Sequence, residues 1–93
     1  MGERNKWRVF SMNRDEIAER VIRVTARELK TTPERIKLEH HFAHDLGADS
    51  LKSIELVAAF EEEFELDLEE EEALKVQTVG GAVDFFEGLI ATP

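Results

Sequence analysis

Apolar positions recur every three to four residues along most of the chain, and the β-branched or aromatic-rich runs expected of a sheet protein are not present. The first periodic segment opens at Asn13, a good helix N-cap, and Glu16 three residues later completes a capping box. Ile17, Val21, Ile22, Thr25 and Leu29 follow at helical spacing, with Arg20, Arg23, Arg27 and Glu28 between them. This helix should fade near Lys30, because Thr31, Thr32 and Pro33 continue a helix poorly. Pro33 can open a single turn ending at Ile36. Residues 37–49 read as a long loop anchored by Leu38, Phe42 and Leu46, with Gly47 free to take a positive φ. A second helix fits Ser50 to Phe64, and a short third one Glu70 to Lys75. Thr78 can cap a last helix from Val79 to Leu89, with Val79, Val83, Phe86 and Ile90 as its apolar positions. Gly80 and Gly81 in that helix each cost about 1 kcal/mol against Ala, and close packing of helix backbones is the reading that accounts for them. Residues 1–12 show no clear period and read as an extension, mobile or loosely packed through Trp7 and Phe10, with Met12 an alternative start. The expected architecture is an all-α bundle of four helices over residues 13–93, with a short third helix and a long loop between the first two.

Composition narrows what such a bundle can do. A chain of 93 residues, 42% hydrophobic and 35% charged, is one small globule with a modest core. Without cysteine it has no disulfide, no Cys-ligated zinc and no thiol nucleophile, so helix packing must hold it together. No apolar run approaches the ~20 residues that span a bilayer, and the first twelve residues lack a signal-peptide core. These features suggest a cytoplasmic protein; a monomer is expected.

Charge is more telling. Twelve basic and 21 acidic residues leave a net −9, which argues against nucleic acid and for a partner with a basic patch. The imbalance is uneven. Residues 1–44 hold 10 basic and 7 acidic residues (+3), whereas residues 45–93 hold 2 and 14 (−12). One face therefore carries the electrostatic message, unless the acidity only serves solubility.

The second helix has two apolar faces. With Leu56 at zero and about 100° per residue, Phe60, Phe64 and Val57 fall near 40°, 80° and 100°, a natural core arc. Leu51, Ile54 and Ala58 fall on the opposite side, near 220°, 160° and 200°, rimmed by Glu55, Glu61 and Glu62. Two readings stand: the first helix or the long loop covers this stripe, or it is an exposed docking surface.

The start of this helix carries the chemistry. In Asp45-Leu46-Gly47-Ala48-Asp49-Ser50-Leu51, a serine stands at a helix N-terminus, beside unpaired N–H groups and the positive end of the macrodipole. A phosphate on Ser50 would be stabilised there. Ser50 or Asp49 could equally be no more than an N-cap.

The run Asp45 to Leu51 resembles the phosphopantetheine attachment motif of acyl carrier proteins. The resemblance continues through Ser53-Ile54-Glu55-Leu56-Val57 and Glu61-Glu62-Glu63-Phe64, back to Phe42 and forward to Thr78-Val79 and Asp84, about residues 14–90 in all. It implies an acyl-carrier-like four-helix bundle that is not a catalyst. A phosphopantetheinyl transferase would move a 4′-phosphopantetheine arm from coenzyme A to Ser50, flanked by Asp49 and Leu51, and the arm's thiol would hold acyl chains as thioesters. Ile54, Glu55, Ala58, Glu61 and Glu62, with Lys52, would meet acyl-loading, condensing and other synthase enzymes through their basic patches. The acyl cargo would enter between the second and third helices, lined by Leu56, Phe60 and Val76. Fatty-acid or related lipid and polyketide synthesis is the implied setting.

Departures from the pattern point to a specialised carrier. Lys52 stands where primary fatty-acid carriers often have an acid, so it would repel some basic partners or pair with the arm phosphate. Ala58 replaces a larger apolar residue. His40, His41 and His44, with Asp45 or Glu39, supply too uncertain a ligand set for zinc, and no metal is assigned; exposed loop histidines with a weak pH response are the plainer reading. The competing readings are an aminoacyl, peptidyl or polyketide carrier, and an unmodified acidic interaction protein in which Ser50 is only a cap. Calcium binding fails the EF-hand pattern, and His44 with Ser50 makes no obvious base–nucleophile pair with a pocket.

Overall fold

A computed structural model describes residues 12–90. Among the described residues four helices run α1 (Arg14–Leu29), α2 (Ser50–Phe64), α3 (Glu70–Leu74) and α4 (Val79–Ile90), with a single 3-10 turn at Pro33–Arg35. The all-α expectation holds: among the described residues the only bridge of strand type is an isolated one between His41 and Thr78. Trp7 and Phe10 lie outside the described residues, while Met12 is buried.

Local chemistry sets the helix ends. The Asn13 side chain accepts from the Glu16 amide, and the Glu16 carboxylate accepts from the Asn13 amide, as the capping box requires. α1 stops where Lys30 turns left-handed (φ 59°) and the Thr31 amide donates back to the Ala26 carbonyl. Glu65 (φ 54°) ends α2 in the same way. α3 stops at Leu74, with Lys75 as its cap, one residue short of the expected end. α4 runs one residue further than expected, to Ile90, which is buried.

α1 packs against both α2 and α4, and α3 packs on α2. Ile17, Val21 and Val24 of α1 meet Leu56, Phe60 and Phe64 of α2 and Val79, Val83, Phe86 and Ile90 of α4 in one core. Phe64 and Phe86 stack at its centre with ring centroids 4.6 Å apart. Burying one such side chain stabilises by about 1.5–3 kcal/mol. The uneven charge is partly neutralised by folding. Arg14 reaches Asp84 and Glu87, each at 2.7 Å, and Arg20 reaches Glu63 at 2.7 Å, so the basic first half pairs with the acidic second.

The long loop is strung along the start of α4. The Leu38 and His40 carbonyls accept from the Gly80 and Val79 amides at 2.7 and 3.0 Å, and the Thr78 hydroxyl accepts from Gly81 at 2.9 Å. The first amides of α4, which have no partner within the helix, are thereby satisfied. Two expectations give way to this arrangement. Phe42 anchors the loop by burial, but the Leu38 side chain is 40% exposed and only its backbone holds. The glycines of α4 answer to the loop and the cap rather than to a neighbouring helix. A Cβ on Gly80 would stand 3.0 Å from the Leu38 oxygen, and one on Gly81 would stand 2.9 Å from the Thr78 hydroxyl.

Candidate functional site

The loop delivers Ser50 by a fixed route. Gly47 takes a φ of 76°, which side-chain-bearing residues adopt at a cost. Ala48 is buried, and its amide donates to the Phe42 carbonyl at 2.9 Å. Asp49 is then the N-cap of α2: its carboxylate accepts from the Lys52 amide at 2.8 Å, and its carbonyl accepts from the Ser53 amide at 2.9 Å. Because Asp49 does the capping, Ser50 is free of that duty. It is the first residue of α2 and is exposed, at the positive end of a 15-residue helix. A solvent-facing hydroxyl in that field suits a phosphodiester.

The outer stripe of α2 is uncovered. Leu51 is 65% and Ile54 44% exposed, and Ala58 is exposed as well. The inner face carries Leu56, Ala59, Phe60 and Phe64, all buried. The carboxylates around the stripe differ in their commitments. Glu55 accepts from the Lys52 ammonium at 3.0 Å. Glu61 turns towards the α2–α3 connection, where its side chain accepts from the Leu68 amide at 2.9 Å. Glu62 is exposed to solvent. Lys52 is held above its ordinary pKa, first by the hydrogen bond to Glu55 and then by the charges of Glu55, Glu28 and Asp49.

An apolar crevice lies beside α2. Leu56, Phe60 and Val76, the three positions expected to line a cargo site, all face it, between α2 and α3. Leu68, Ala82 and Phe85 complete much of the wall, and Ser53, about one helical turn after Ser50, is among the lining residues. The space amounts to about 470 Å³ including its open mouth. Phe60 and Phe86 close it inwardly, with ring centroids 5.3 Å apart. Sequence periodicity does not mark Leu68 or Phe85 as lining residues. Leu68 sits within an acidic run, and Phe85 falls outside the apolar positions Val79, Val83, Phe86 and Ile90 of the last helix.

The loop histidines are engaged within the loop. The Asp45 carboxylate accepts from the His41 amide at 2.7 Å and lies 3.3 Å from its ring Nδ1. Its carboxyl is held below the ordinary value, chiefly by the hydrogen bond from the His41 amide. His40 Nδ1 accepts from the Lys37 amide at 3.1 Å. His44 meets His41 edge to face, with ring centroids 6.3 Å apart. Among the described residues no group of three or more His, Asp or Glu side chains is placed to hold a metal ion. No helix there is long and apolar enough to cross a membrane.

Comparison with known proteins bears on this arrangement. Residues 19–86 match the family described as phosphopantetheine attachment site. Over 80 residues the chain is 45% identical to the acyl carrier protein of Thermosynechococcus vestitus (strain NIES-2133 / IAM M-273 / BP-1), an alignment that covers 86% of this chain and 99% of that one.

Proposed function

We propose, for a chain that belongs to the acyl carrier protein family, that Ser50 is the residue on which its prosthetic arm is built. The protein is a non-catalytic carrier with a covalent 4′-phosphopantetheine group, whose terminal thiol holds acyl cargo as a thioester. The observation that carries the Ser50 reading is the division of labour at the start of α2. Asp49 caps the helix, and the neighbouring Ser50 is left exposed at its positive end.

Ser50 takes the group from coenzyme A as a phosphodiester, with a phosphopantetheinyl transferase as catalyst. Asp49 and Leu51 flank it and set its presentation. The exposed stripe of Leu51, Ile54 and Ala58, with Glu55 and Glu62, is the docking face for acyl-loading and condensing enzymes that offer basic side chains. Charge of this kind speeds encounter more than it tightens binding, which suits a carrier that must leave each enzyme. Glu61 contributes less to that face than the exposed Glu62, because its carboxylate is already bonded to Leu68. The crevice lined by Leu56, Phe60 and Val76 shelters the chain in transit, and its apolar walls favour acyl cargo over aminoacyl cargo. Lys52 and Ala58 support a role in a dedicated lipid or polyketide pathway.

The test is intact mass after incubation with coenzyme A and a broad-specificity phosphopantetheinyl transferase. The wild-type chain should gain one phosphopantetheinyl group and Ser50→Ala none. A gain in Ser50→Ala, or none in folded, initially unmodified wild type, would refute the assignment.

A further inference from the structure

Lys52 is the odd residue of α2. It occupies the third position of the helix, inside the first turn, where the macrodipole favours negative charge, and no acid stands in that turn. The macrodipole thus disfavours a cation there, and only neighbouring carboxylates, Glu55 first, offset it; a residue that runs against the dipole beside an exposed stripe points to function. Its ammonium lies 3.0 Å from a Glu55 carboxylate oxygen, with Lys52 N-terminal to the acid, the weaker order for such a pair. Both side chains remain partly accessible, 36% and 44% exposed, so an arriving enzyme can reach either one.

Glu55 is thus a carboxylate already matched by a cation of its own chain. A partner's arginine or lysine must either displace Lys52 or approach its positive charge. Glu62 differs: it stands exposed on the same helix and presents its charge to solvent.

We propose, on the basis that this stripe of α2 is the docking face, that Lys52 is a specificity-determining residue. It occupies Glu55 in the free carrier and thereby disfavours enzymes whose docking face is basic throughout. The enzymes it admits place a carboxylate against Lys52 and keep their basic side chains for Glu62 and the released Glu55. The occupied state is an equilibrium. An exposed pair of this kind is worth little, so the discrimination is a matter of a fewfold in rate, not an on–off switch.

The experiment uses the full chain and a phosphopantetheinyl transferase whose docking groove is lined by Arg and Lys. Modification is followed by mass for wild type, Lys52→Gln, Lys52→Met, Glu55→Gln, Lys52→Gln/Glu55→Gln and Glu62→Gln, each checked for helix content by circular dichroism. At low salt Lys52→Gln and Lys52→Met should raise kcat/KM about two- to fivefold, the factor that an exposed pair represents. High salt should erase the gain. Glu55→Gln should cost more in the Lys52→Gln background than in wild type and abolish the gain there, while Glu62→Gln slows the reaction with Lys52 in place. Equal costs for Glu55→Gln in both backgrounds would overturn the proposal, as would a rate that falls or stays level in both Lys52 variants. Absence of any mass gain in wild type would instead remove the Ser50 assignment, and the proposal with it.

Discussion

The Leu38 carbonyl accepts the Gly80 amide at 2.7 Å, and the same oxygen would lie 3.0 Å from any Cβ added to Gly80. The long loop and α4 touch backbone to backbone, and neither side can yield as a flexible side chain could. Gly80→Ala would gain about 1 kcal/mol of helix propensity but must separate the two backbones, so a net loss of about 1–2 kcal/mol is expected. Gly88 lies in the same helix with nothing within 4 Å of its would-be Cβ. Gly88→Ala should stabilise by about 0.5 kcal/mol. Urea denaturation of both variants checks the opposite signs.

Asp49→Ala removes the cap on the Lys52 amide. The expected loss of stability is about 1 kcal/mol. Modification of Ser50 should also slow, because the first turn that presents it frays. Asp49→Asn, which keeps an accepting oxygen, should restore most of the stability in thermal melts.

Acid should loosen the loop through Asp45. Its carboxyl is held below the ordinary 3.8 by the His41 amide, so the folded state favours the ionised form. That contribution is fully present above the unfolded value and is lost as pH falls through the lowered folded value. The stability gap between wild type and Asp45→Ala should therefore shrink as pH falls below about 4. Urea titrations at several pH values measure it, and a gap that failed to shrink there would contradict the assignment.

Cargo in the crevice should stabilise the carrier. Each methylene buried there adds up to about 0.8 kcal/mol, so an acylated form should melt above the form with a free thiol. Val76→Trp fills the crevice from its wall and should remove that difference while leaving attachment at Ser50 intact. Paired melting curves of the two forms, for both chains, test this.

Much of the fold and of the site was legible in the chain because it is local. Asn13 with Glu16, Thr78 ahead of Val79, and Gly47 before the second helix each act within a few residues, and short-range rules suffice for them. The two apolar arcs of α2 follow from helical periodicity, which told Leu56 and Phe60 from Leu51 and Ile54. What escaped depends on parts distant in sequence. Arg20 meets Glu63 across 43 residues, and Leu38 holds Gly80 by a carbonyl, an atom every residue has and no pattern marks. Glu61 looked like a docking acid because its spacing placed it on the rim. Its tie to Leu68 depends on how the chain turns after Glu65, which spacing does not encode.

That tie says something about how the carrier's parts differ in durability. α3 has five residues, buries none of them completely and lacks a side-chain cap. A peptide so short has no helical stability of its own. Its approach is secured from α2, where the Glu61 carbonyl accepts from Leu66 and the Glu61 carboxylate from Leu68. One side of the crevice is thus a frame set in the core, and the other is a short leaf tied at one end by Glu61 and at the other by the Gln77 carbonyl, which accepts from the Phe42 amide. Amide hydrogens from Asp67 to Val76 should exchange with solvent well ahead of those in α1, and the cargo chamber would open from that side first.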